Sequence, residues 1–102
     1  MEPIRQGDVY LKPCDKMPDG AKKIKPVNGR VVLAEGEATG HAHTIEADCA
    51  TLFGVDESMV VVVDKPTTLD HQEHGTLEVQ PGTYWVVGQR EQKREEIKRV
   101  MD

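Results

Sequence analysis

Met59-Val60-Val61-Val62-Val63, closed by Asp64-Lys65-Pro66, is an apolar run, four of its five residues β-branched, with no polar alternation. Valine is stiff at χ1 and packs well on a pleated surface. A run of five residues matches the length of a strand, not of a helix. A run apolar on both faces predicts a central strand covered on both sides. Reading outward, Thr67 to His71 predicts another short strand. The strongest hairpin pattern follows: Gly75 to Gln80, then Pro81-Gly82, then Thr83 to Gly88. Pro-Gly suits the central positions of a type II turn. Such a turn would put Leu77 and Val79 on one face with Tyr84 and Val86.

On the other side of the valine run, Ala50 to Val55 and His41 to Ile45 predict two strands, and Arg30 to Leu33 a third after the turn pair Asn28-Gly29. Gly7 to Lys12 alternates, with Val9 and Leu11 on one face and Asp8, Tyr10 and Lys12 on the other. Residues 13–26, which contain Pro18-Asp19-Gly20, read as a long mobile loop. Residues 91–102 are charged, with Ile97, Val100 and Met101 at helical spacing, and predict a short C-terminal helix or charged tail. Seven to eight short antiparallel strands with turns every ~8–12 residues predict an all-β fold, a small barrel or sandwich. A chain of 102 residues supports one core, so residues 1–102 are expected to form a single β domain.

Hydrophobic residues at 37% and charged residues at 30% match a water-soluble protein. No apolar run approaches the ~20 residues of a membrane span, and Met1 to Gln6 has no signal-peptide centre, so a cytoplasmic protein is expected. The net charge of -5 disfavours direct nucleic-acid binding, which needs clustered Lys and Arg. Lys22-Lys23-Ile24-Lys25 and residues 90–99 are local basic patches, the second interleaved with Glu91, Glu95 and Glu96. Cys14 and Cys49 form no CxxC pair and read as reduced thiols.

The four histidines fall into two pairs, Gly40-His41-Ala42-His43 and His71-Gln72-Glu73-His74-Gly75. On a strand His41 and His43 share a face, because side chains alternate with a period of two. His71 and His74, at a spacing of three, need a turn to reach one ion. Neutral imidazole is a good ligand for divalent transition metals. The pattern therefore predicts one metal held by His41, His43, His71 and His74, with zinc first and iron, nickel or manganese as alternatives. Glu37 and Glu46 flank the first pair, and Asp70 and Glu73 the second, as further ligands or as acceptors that orient an imidazole.

Gly36, His41, His43, Glu46 and Gly54 resemble the first motif of the cupin superfamily, with spacings off by one. Gly75, Pro81 and Gly82 resemble the start of the second motif, although Val86 stands where its histidine belongs. The resemblance implies a small cupin-like β-barrel with His41, His43 and Glu46 as first-motif ligands. The chain is also similar to small bacterial and bacteriophage proteins.

Two functions follow as expectations. One is a metal-dependent enzyme on a small-molecule substrate, with Glu37 or Glu46 as proton shuttle. The other is an interaction protein, phage- or mobile-element-encoded, that modulates a host factor and uses its metal as a structural staple. Exposed strand edges in so small a β domain also predict a homodimer.

Overall fold

The computed structural model describes residues 3–35, 42–72 and 75–88. The expected C-terminal helix over 91–102 therefore lies outside the described residues. Ten strands run in order: β1 (Ile4–Gln6), β2 (Val9–Cys14), β3 (Lys22–Ile24), β4 (Arg30–Glu35), β5 (Ala42–Glu46), β6 (Ala50–Val55), β7 (Ser58–Val63), β8 (Thr67–His71), β9 (Gly75–Val79) and β10 (Gly82–Gly88). The fold is all-β, and no helix occurs among the described residues.

The strands form two antiparallel sheets. One has six strands in the order β1-β2-β10-β7-β6-β3, and the other four in the order β4-β5-β8-β9. Of the two forms expected, this is the sandwich. The valine run is β7 and lies between β10 and β6, as its two-sided apolarity demands. Val61 and Val63 enter the core, whereas Val60, also fully buried, stands outside that cluster. The core joins Val9 and Leu11 of β2, Tyr84 and Val86 of β10 and Leu52 of β6 to Val31, Leu33, Ile45, Leu69 and Val79 of the smaller sheet.

Three expectations change. Among the described residues the strands number ten rather than about seven or eight, because β1 and β3 have only three residues each, too short to show a period. The loop expected over 13–26 is shorter, since β2 runs through Cys14 and β3 takes Lys22–Ile24. The hairpin about Pro81-Gly82 does not form. β9 pairs with β8, and β10 pairs with β2 and β7 in the other sheet. Pro81-Gly82 is where the chain crosses between sheets, so Val79 and Tyr84 enter the core from opposite sheets instead of sharing a face.

The Asn28-Gly29 turn does form. Both residues have positive φ, 51° and 76°, and the flanking Val27 and Arg30 exchange backbone bonds of 2.8 and 2.9 Å. That is the geometry of a type I′ hairpin turn, which needs φ above zero at both central positions.

Candidate functional site

Among the described residues three polar side chains are buried, and they collect at one end of the sandwich. Gln6 is 2% exposed, His43 3% and His71 9%. In β5 the buried residues are His43 and Ile45, and in β8 they are Leu69 and His71. Period-two alternation thus turns both histidines into the interior. Thr44 pairs with Asp70 and Ile45 with Leu69. One step further along this antiparallel ladder, His43 stands opposite His71. Their ring centroids are 4.3 Å apart, with the planes inclined by 36°. Beyond them the Gln72 side-chain carbonyl accepts a bond from the Ala42 N–H at 2.9 Å, extending the junction of β5 and β8.

Gln6 reaches this pair from the other sheet. Its amide nitrogen donates to Leu69 O at 2.8 Å and to Gly75 O at 2.7 Å. Both acceptors are backbone carbonyls, which cannot donate, so they fix which amide atom is nitrogen. The atom 2.9 Å from His43 Nδ1 is then Oε1, an acceptor. His43 must therefore carry a proton on Nδ1 and donate it to Gln6. In the neutral ring the lone pair therefore lies on Nε2. An adjacent acceptor on the far ring nitrogen is the usual arrangement behind a ligating histidine. Nothing in the sequence around Gln6 marked it for this role, because its partners are 37 to 69 residues away.

The four expected ligands thus divide. The structure brings His43 and His71 together, while His41 and His74 lie outside the described residues, as do Glu37 and Glu73. Among the described residues no group of three or more His, Cys, Asp or Glu is placed to hold a metal ion. Glu46 is exposed, three residues after His43 and on the opposite face of β5. The structure does not bring it to the histidines, as strand parity requires. Cys14 and Cys49 are free thiols, and Cys14 Sγ–H donates to Lys16 O at 2.9 Å.

Asp70 also faces away from the pair. On the outer face of the four-stranded sheet it forms an ion pair with Arg30 and accepts from Thr76 Oγ1 at 3.1 Å. Arg30 also donates to Thr44 Oγ1 from Nε at 3.2 Å and from Nη2 at 3.0 Å. This network ties β4, β5, β8 and β9 together behind the histidines. Partial burial pushes the Asp70 carboxyl up, but bonds from Arg30, Thr68 and Thr76 and the Arg30 charge hold it below its usual value. A carboxyl depressed in the folded state stabilises the fold above its unfolded pKa, and that stabilisation is lost as pH falls through the folded pKa. Asp70→Asn is expected to lower stability at pH 7 by less than ~1 kcal/mol, since about a third of each side chain is exposed. In urea titrations the difference from the native chain should shrink as pH falls below the usual Asp value and close once pH is below the depressed folded value.

No curated protein and no solved structure matches the chain. A family model described as a domain of unknown function, DUF8820, matches residues 5–89, which take in every strand from β2 to β10 and both buried histidines, and the chain belongs to that family.

Proposed function

We propose that this protein binds one divalent transition-metal ion at the end of the sandwich where His43 and His71 meet. His41 and His74 supply the remaining ligands, and zinc is the first choice, with iron, nickel or manganese as alternatives. The observation that carries this reading is the His43–His71 pair itself. Two imidazoles from non-consecutive strands stand 4.3 Å apart in the interior, one with its tautomer set by Gln6. Two rings on one tetrahedral ion, with metal–nitrogen bonds of ~2.0–2.1 Å, hold their centroids about 5 Å apart. A ring rotation that opens the pair by less than about 1 Å would admit the ion, well within ordinary side-chain adjustment.

A structural or switching ion is favoured over a catalytic one. Glu46, the described carboxylate offered as proton shuttle, stands on the opposite face of β5. Four histidines close a tetrahedron and leave no position for substrate. A metal staple suits a small core with 4% aromatic residues. Under this reading the chain is a small binding protein whose partners meet its outer surfaces.

The test is elemental analysis of untagged protein combined with X-ray absorption at the metal edge. About one equivalent of metal in a shell of four nitrogens is expected, the count of a closed structural site. A shell of three nitrogens and a water oxygen would transfer the site to catalysis. Protein that takes up no metal after loading and gel filtration would overturn the proposal.

A further inference from the structure

We propose that the outer face of the six-stranded sheet is the docking surface for the chain's own C-terminal segment, residues 89–102. The face is defined by parity and register. Tyr84 and Val86 of β10 belong to the core, so Thr83, Trp85 and Val87 point the other way. Trp85 pairs with Lys12 of β2 and Val60 of β7, Val60 with Phe53 of β6, and Phe53 with Lys23 of β3. An apolar row of Trp85, Val60 and Phe53 therefore crosses the sheet with a lysine at either end. Val60 is fully buried although it is not part of the core cluster. A shallow groove beside this row is lined by Lys12, Ser58, Trp85, Val86 and Val87.

The occupant is argued from where the chain goes next. β10 ends at Gly88, one residue past Val87 in the groove, and fourteen residues follow. They lie outside the described residues, and the family match ends at residue 89. Ile97, Val100 and Met101 are their only apolar residues and stand at i, i+3 and i+4, one face of a helix. Fourteen helical residues span about 21 Å, and the three strand spacings from β10 to β3 about 14 Å. Starting at the groove, the first turns of such a helix pass over Trp85 and Val60, and Ile97 to Met101, about 14 Å and more from Gly88, reach the Phe53 end of the row. Glu95 and Glu96, next to Ile97, suit the lysines that flank the row. The tether gives the segment an effective concentration in the millimolar range against this face, an advantage over any free partner.

Trp85 is the only tryptophan, so its fluorescence reports on this surface alone. The test uses the full chain and the full chain with Ile97→Ser, Val100→Ser and Met101→Ser, which alter no residue of the sandwich. Release of the segment in the triple variant is expected to shift Trp85 emission to the red and make it more accessible to acrylamide, at every protein concentration. Unchanged emission and quenching overturn the proposal. Trp85 shielding in the native chain that is lost on dilution, together with a dimer's mass, also overturns it in favour of a second copy. A second measurement works from the receiving side. Val87→Asp, which adds no trypsin site and repels Glu95 and Glu96, should remove the native chain's protection from trypsin at Lys93 and Arg94, sites that a docked segment withholds. Equal cleavage in the native chain and in this variant counts against docking.

Discussion

His43→Ala/His71→Ala is expected to abolish metal binding, taking the content from about one equivalent to below about a tenth, because two of four ligands are removed at once. The change reaches stability as well as stoichiometry. An ion bound to the folded state alone stabilises it by about 4 kcal/mol when free metal is a thousandfold above Kd. In a domain of this size each kcal/mol corresponds to roughly 4–8 °C in Tm. Chelator should therefore lower the Tm of the native chain strongly and leave that of the double variant unchanged. The comparison matters because alanine also leaves cavities where two buried rings stood, with a cost of their own. Only the chelator-sensitive part of Tm reports the ion. Full metal content in the double variant would sink the metal reading. His41→Ala and His74→Ala, each removing one expected ligand, should weaken binding without abolishing it.

Much of the fold was legible because strand parity is a local property. Val9 and Leu11 alternate with Tyr10 and Lys12, and the structure buries the first pair in the core. Val60 to Val63 have no polar member and occupy an interior strand. The missing information was which strand meets which. Pro81-Gly82 carries a sound local hairpin signature, yet β9 and β10 belong to different sheets. A dipeptide restricts its own φ and ψ, and the crossing is set by the partners that β8, β2 and β7 provide. The same distinction divides the candidate site. Parity alone indicates that His43 and Glu46 leave opposite faces of β5. It does not indicate that β5 lies beside β8, the pairing of non-consecutive strands that sets His43 against His71. Gln6 was invisible for a related reason. A lone glutamine in a three-residue strand has no pattern, and its meaning comes only from landing over β8 and β9.

Gln6 also allows the fold and the metal to be tested separately. Gln6→Leu keeps roughly the volume but removes every hydrogen bond, leaving Leu69 O, Gly75 O and the His43 Nδ1–H without their partner. An unsatisfied buried polar group costs about 1–3 kcal/mol. With water reaching the part-buried Gly75 carbonyl, a total near 2–4 kcal/mol is expected for the metal-free protein in urea unfolding. Freed from its acceptor, His43 also loses its fixed tautomer and ring orientation, and zinc affinity should fall by about 10–100-fold. Gln6→Glu separates the two effects. A carboxylate still accepts from His43 Nδ1–H, and more strongly, but it cannot donate to either carbonyl. Its metal-free form should be at least as unstable as Gln6→Leu, since a buried carboxylate oxygen then faces two carbonyls, whereas its zinc affinity, measured by competition with a chelator, should equal or exceed that of the native chain. Should both variants lose stability with zinc affinity unchanged, Gln6 would be a strap between the sheets and no part of a metal site. If affinity instead follows the acceptor while stability follows the donors, the amide has two functions, and the position of β1 is coupled to the ion through His43.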